Sequence, residues 1–107
     1  MVYMLNAFSL GMLPEREVMV KVKEISLEEA RRILQSGFES AVGHESTAQL
    51  LSQLLGFTVS ANRVAIKLKQ GDRAVVFQLL TRLPEGKVLT REELEKIPYK
   101  FYLVEVS

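Results

Sequence analysis

The 107-residue sequence contains no cysteine and only one histidine, His44. The absence of cysteine excludes a disulfide framework, cysteine-based zinc sites and thiol catalysis. One histidine without cysteine cannot form a His-rich or Cys-rich metal site within one chain. We therefore expect a protein that uses no metal and no cofactor.

Several other signals are missing. No run of 18 apolar residues occurs, and the opening "MVYMLNAFSL" lacks the basic region and long apolar region of a signal peptide. Walker A, G-x-G-x-x-G and G-x-S-x-G patterns are absent as well. A net charge of +1 is low for a protein that coats long nucleic acid. We expect no membrane contact, a cytoplasmic location (the host cytoplasm if a virus encodes the chain) and, at most, a small nucleic-acid ligand.

The composition and the hydrophobic patterning indicate a single globular domain over residues 1–107, with 48% hydrophobic and 25% charged residues. The predicted fold is α/β, with helices flanking a mixed β-sheet of five to six strands. A Ser26–Glu29 capping box begins the first helix, which ends at Gly37. The strands are predicted at 2–6, 17–24, 38–43, 63–69, 73–80 and 99–106, with a "QGD" hairpin turn before 73–80, and the other helices at 45–55 and in "TREELEKI".

His44 stands between a predicted strand and the helix at 45–55, within "AVGHEST". It is either a helix-start residue that packs locally or a functional imidazole. The carboxyl edge of an α/β sheet is where such folds bind ligands, and a helix N-terminus favours an anion. An imidazole beside a bound phosphate is suited to proton transfer near neutral pH.

Other polar residues also have two interpretations. Arg82 and Glu85, in "TRLPEG" after strand 73–80, are either a solvated loop pair or a phosphate-binding arginine with an acidic partner. Gln78 interrupts an apolar run and either faces outward or contacts a ligand. Asn6 and Ser9 flank the end of the first predicted strand, and turn chemistry is the structural interpretation of both.

Four stretches, "LNAFSLGML", "GHEST", "NRVAIKL" and "RLPEGKVLT" followed by "EEL", occur in this order across nearly the whole chain. Together they resemble the viral ring nuclease family, small anti-CRISPR proteins first known from archaeal viruses. The resemblance implies a homodimeric, metal-independent phosphodiesterase. It would cleave cyclic tetra-adenylate, the second messenger of type III CRISPR systems, to linear di-adenylate with 2′,3′-cyclic phosphate ends.

The resemblance also implies residue roles. His44 matches the catalytic histidine, and Arg82 and Glu85 match the arginine and glutamate that support it. Pro84 departs from the pattern, because an acidic residue is expected there, and it stiffens the loop. The ligand-binding positions would be Asn6, Ser9, Gly43, Arg63, Gln78 and Arg82, with the role of Arg63 left open between ligand contact and structure.

Three alternatives to a ring nuclease remain. An interaction protein without a nucleotide ligand would show no thermal shift when cyclic oligoadenylates are added. A protein that binds cyclic oligoadenylate without cutting it would give no product. A small dimeric DNA-binding regulator would show a gel shift that falls steeply with salt.

Overall fold

The computed structural model describes residues 1–14, 17–80 and 90–107. Glu15, Arg16 and residues 81–89 lie outside the described part, so the expectations for Arg82 and Glu85 are not addressed by it. The strands are β1 Val2–Leu5, β2 Val20–Ile25, β3 Glu39–Ala41, β4 Arg73–Leu79 and β5 Tyr99–Val106. The helices are α1 Leu27–Gln35, α2 Glu45–Leu55 and α3 Arg91–Lys96, with a short 3-10 helix at Leu10–Met12.

The described strands form one mixed sheet in the order β2-β5-β4-β1-β3. Strand β1 pairs in parallel with β3 on one side and with β4 on the other. Strand β5 pairs antiparallel with both β4 and β2. The predicted α/β class and mixed sheet are confirmed, and the three parallel strands end at one common edge.

Local capping chemistry sets where the helices begin and end. The Ser26 hydroxyl accepts a hydrogen bond from the Glu29 amide at 3.1 Å, as the capping box predicts. Thr90 and Glu93 form the reciprocal pair at α3, each accepting from the other's backbone N–H at 3.2 Å. Helix α2 ends at Gly56, whose φ of 81° is the left-handed conformation that glycine adopts without strain.

Helices α1 and α2 both pack on one face of the sheet. The buried side chains of this first cluster come from the helices and from alternate strand positions, since successive strand residues point to opposite faces. From the helices they are Ala30, Leu34, Ala48, Leu50, Leu51 and Leu55, and from the sheet Val2, Met4, Ile25, Val75, Phe77, Phe101 and Leu103.

The opposite face of the sheet carries a smaller cluster and no described helix. Its buried members are Leu5, Leu68, Ala74, Val76, Val104 and Val106. Side chains from the 3-10 helix region and from Ile66 pack against it. The cover is incomplete, because Val22 on this face is 57% exposed. We refer to this side as the open face.

The predicted hairpin between 63–69 and 73–80 is wrong. The turn itself exists, since Gly71 has a φ of 91° and the Asp72 amide donates to the Lys69 carbonyl at 2.9 Å. Strand β4, however, has β1 on one edge and β5 on the other, so no edge remains for 63–69. That segment lies against the open face, where the Leu68 amide donates to the Met12 carbonyl at 2.7 Å.

The strand predicted at 17–24 begins later, at Val20, and forms an edge of the sheet. Its alternation of valine and lysine indicated a half-buried strand, yet only Ile25 of β2 is buried. None of the helices in the described ranges has the length and apolar character needed to cross a bilayer.

Candidate functional site

The parallel strands bring three chain segments to one edge of the sheet. Asn6 follows the carboxyl end of β1, and Gly43 and His44 follow β3 after one intervening residue. Strand β4 ends at Leu79, also at this edge, and Arg82 and Glu85 come three and six residues later in the sequence. Ligands of open α/β sheets bind outside the carboxyl ends of their parallel strands.

His44 is the residue that precedes the first turn of α2. Its backbone is extended (φ −129°, ψ 131°), and its carbonyl accepts the first helical bond, from the Ala48 amide at 3.0 Å. The side chain is exposed and makes no capping hydrogen bond. The expectation of an imidazole at a helix N-terminus is confirmed in position, and the ring is left available for another partner.

The first turn of α2 has unsatisfied backbone donors. Within the described residues, no acceptor meets the N–H groups of Glu45, Ser46 and Thr47. Helix starts normally satisfy such groups with a serine, threonine, aspartate or asparagine side chain at the preceding position. Histidine does not do so here, so the turn keeps a positive electrostatic potential that suits an anion.

Asn6 contacts the same turn. Its Oδ1 accepts a hydrogen bond from the Gly43 backbone N–H at 3.2 Å. The side chain of a residue after β1 therefore holds the Val42–Gly43 peptide group, which is one peptide removed from His44. Sequence reasoning placed Asn6 near a ligand and did not identify this contact, because the two residues are 37 positions apart.

The segment after α2 packs beside the turn from the other side. Val42 forms a bridge with Ala61, and its carbonyl accepts from the Asn62 amide at 2.7 Å. This pairing brings Arg63 next to Gly43, where a β-carbon would lie 3.7 Å from Arg63 Cγ. Arg63 itself is exposed.

A cavity of about 390 Å³ opens on the open face beside the edge. Gln78 is exposed and contributes to its lining, as does Asn6. Phe8 and Tyr102 add aromatic surface that sequence analysis did not single out. The period-two pattern of "YKFYLVEV" could have indicated Tyr102, because it lies on the opposite face from buried Phe101 and Leu103.

The cavity has a cation nearby. Lys100 lies directly opposite Gln78 in the β4–β5 pairing, and its Nζ is 3.2 Å from a Glu24 carboxylate oxygen. The hydrogen bond to Glu24 is the main cause that raises the pKa of Lys100 above its usual value, and the negative charge of Glu24 adds to it. Lys100 is therefore charged at neutral pH.

Within the described residues, Ser9 neither lines this cavity nor forms a hydrogen bond with the turn before α2. It is exposed, and its carbonyl accepts from the Met12 amide at 3.1 Å at the start of the 3-10 helix. The residues that the structure does bring together are Asn6, Gly43, His44 and Arg63, with Gln78 sharing the cavity that Asn6 lines.

Comparison with known proteins identifies relatives whose similarity extends over most of the chain. A family model described as STIV B116-like matches residues 2–101. Uncharacterized protein 26 of Sulfolobus islandicus filamentous virus is 44% identical over 99% of this chain and 92% of its own length. Uncharacterized protein YddF of Bacillus subtilis is 38% identical over 78% of this chain and 81% of its own. The solved structure of B116 of Sulfolobus turreted icosahedral virus superposes with a TM-score of 0.85, at 33% identity and 97% coverage of both chains.

Proposed function

Because this chain belongs to the STIV B116-like family, with members encoded by several viruses, we propose that it is a ring nuclease that antagonises type III CRISPR signalling. The substrate is cyclic tetra-adenylate, and the product is linear di-adenylate with 2′,3′-cyclic phosphate ends. The reaction needs no metal. The site of action is the cytoplasm of the cell in which the messenger is made.

The observation that carries the proposal is the environment of His44. An exposed imidazole without a capping bond stands beside three N–H groups that have no acceptor among the described residues, at the carboxyl edge of the parallel strands. A phosphodiester placed there would be near both a proton donor and a positive potential. The purely structural interpretation of His44 is less well supported, because a cap residue with a side-chain oxygen would stabilise the helix better.

The chemistry uses the substrate's own nucleophile. A ribose 2′-hydroxyl attacks the adjacent phosphorus, releases its proton to solvent water, forms the new P–O bond of the 2′,3′-cyclic phosphate and expels the 5′-oxygen. His44 as imidazolium donates its proton to that leaving oxygen, which is a contribution of ~10²–10⁴-fold in rate. The N–H groups of the α2 turn stabilise charge on the phosphorane. By resemblance, Arg82 also contacts phosphate, and Glu85 orients His44 or favours its protonated form.

A homodimer completes the site. Each chain supplies a single histidine, whereas release of two di-adenylates from one ring requires two cuts. Two-fold symmetry would place the two His44 side chains at opposite phosphates of a ring of four adenylates. The incomplete cover of the open face, with Val22 57% exposed beside the cavity, supports an additional contact surface on that side.

The test is incubation of purified protein with cyclic tri-, tetra- and hexa-adenylate in excess EDTA, with products separated by chromatography. We expect di-adenylate from the ring of four adenylates, and far slower product formation by the His44→Ala variant. Binding without product would instead identify a non-catalytic sensor. Cleavage that disappears in EDTA and returns with Mg²⁺ would contradict the metal-independent mechanism.

A further inference from the structure

We propose that Asn6 is a positioning residue for the reaction: its side-chain oxygen holds the Gly43 peptide and thereby sets the direction of the His44 ring. This inference rests on the proposed function and adds a role that differs from ligand contact. It depends on one hydrogen bond, from the Gly43 N–H to Asn6 Oδ1, at 3.2 Å.

The contact joins the inner part of the sheet to its edge. Asn6 directly follows Leu5, which is 1% exposed in a strand paired on both sides. The turn at Gly43 follows β3, a three-residue strand at the sheet edge. On its outer side, the Val42–Gly43 peptide is held by the Asn62 amide, which donates to the Val42 carbonyl at 2.7 Å. On its inner side, Asn6 Oδ1 links the same peptide to the end of β1.

The Gly43 N–H also fixes the orientation of the Asn6 amide. Only Oδ1 can accept from a backbone donor, so Nδ2 with its two hydrogens is directed elsewhere. Within the described residues, no acceptor meets Nδ2. Asn6 also lines the 390 Å³ cavity. One lone pair of the amide oxygen is thus used within the protein, and the nitrogen is directed away from Gly43 as a donor for a ligand.

His44 depends on its backbone for its direction. Its side chain makes no capping bond, and its extended φ and ψ are set by the peptides on either side. On the helix side, the Ala48-to-His44 bond holds the carbonyl. On the other side, the Asn6 bond holds Gly43. Loss of that bond leaves the Val42–Gly43 peptide held by the Asn62 amide alone, so Gly43 can shift and displace the ring that must reach the leaving oxygen.

Two substitutions separate positioning from ligand contact. Asn6→Ala removes both the acceptor and the donor. Asn6→Asp keeps an acceptor oxygen for Gly43 but replaces the donor with a carboxylate, which repels a polyanionic ring. Asn6→Ser, with a shorter side chain, takes the place of Asn6→Ala if that variant does not fold.

The first readout needs no substrate. Amide hydrogen exchange at Gly43, and the ring signals of the only histidine, are followed by NMR in the free protein. We expect faster exchange at Gly43 and shifted His44 signals in Asn6→Ala, with wild-type exchange at Gly43 in Asn6→Asp. Unchanged exchange at Gly43 in Asn6→Ala overturns the proposal, whether or not the protein cleaves the ring.

The second readout is single-turnover cleavage at saturating cyclic tetra-adenylate. Asn6→Ala should lower the rate constant by about 10- to 100-fold, because misplacement of a reacting group is costly. Asn6→Asp should bind more weakly, and once saturated it should lose less of the rate constant than Asn6→Ala. Equal losses of affinity in both variants, with wild-type rate constants at saturation, would make Asn6 a ligand contact only. Absence of cleavage by the wild type would contradict the proposed function and leave the NMR result to decide the positioning role.

Discussion

Gly43 and Arg63 are in contact across the turn that leads into α2. A β-carbon on Gly43 would lie 3.7 Å from Arg63 Cγ, an ordinary van der Waals distance, and no other described atom outside its chain neighbours would be closer. The φ of Gly43 is not among the positive values. Among the described residues, nothing in the fold requires glycine at this position, so a close approach by a ligand explains it better.

We therefore expect Gly43→Ala to leave the melting temperature nearly unchanged and to weaken binding of cyclic tetra-adenylate. Calorimetry and a binding titration measure the two effects. Gly11→Ala is the matched control, because its β-carbon would meet only Ser9 Oγ, at 3.9 Å. Wild-type affinity in Gly43→Ala would show that no ligand atom approaches this turn closely.

The side chain of His44 does not cap α2, and its ring is exposed. Substitutions of His44 should therefore change the stability of the protein and its activity in different ways. His44→Ser supplies a capping oxygen and should be about 0.5–2 kcal/mol more stable than His44→Ala. Both variants should lose ~10²–10⁴-fold in single-turnover rate and still bind the ring, because the proton matters chiefly in the transition state. Denaturant titration and rapid-quench kinetics provide the measurements. A loss of affinity at an unchanged rate would make His44 a ligand contact.

Arg82→Ala should weaken both binding and rate, since a phosphate contact acts in the ground state and in the transition state. Arg82 lies outside the described residues, so this prediction depends on the resemblance alone. Titration of the ring and single-turnover kinetics on the same variant test it. Wild-type values for both would remove Arg82 from the site.

A mixed dimer of wild-type and His44→Ala chains tests the two-fold arrangement. With one intact proton donor and enzyme in excess, linear tetra-adenylate ending in a 2′,3′-cyclic phosphate should accumulate before di-adenylate appears. Slow formation of di-adenylate is consistent, because released linear product can rebind in the other orientation. Di-adenylate formed as fast as by wild type, with no linear species, would contradict the symmetric placement of His44.

Arg31 connects the two long helices and gives a prediction about stability. Its guanidinium donates to the Leu55 and Leu54 carbonyls at 2.9 and 3.0 Å, satisfying the C-terminal end of α2. Arg31→Ala should reduce the free energy of unfolding by about 1–3 kcal/mol, because half-buried acceptors lose a charged donor. Arg32→Ala, at the neighbouring exposed position, is the control for chemical denaturation. Equal effects of the two substitutions would rule out this role for Arg31.

The sequence alone determined the features that depend on neighbouring residues. The Ser26–Glu29 capping box and the turn at Gly71 form as predicted, and the Thr90–Glu93 pair and the end of α2 at Gly56 are local in the same way. Each involves side chains and backbone groups within a few residues, so the interactions that stabilise it can be identified from the local sequence. The position of His44 before α2 was predictable for the same reason.

The tertiary structure alone decided which segments pair and which polar atoms meet. The alternation in 63–69 resembles a strand, but hydrophobic periodicity specifies a face and not a hydrogen-bonding partner. Strand β4 pairs with β1 and β5 instead, so 63–69 crosses the open face. The Asn6–Gly43 bond has the same origin, because parallel pairing of β1 with β3 brings residues 37 positions apart into contact. No interaction between neighbouring residues specifies this contact.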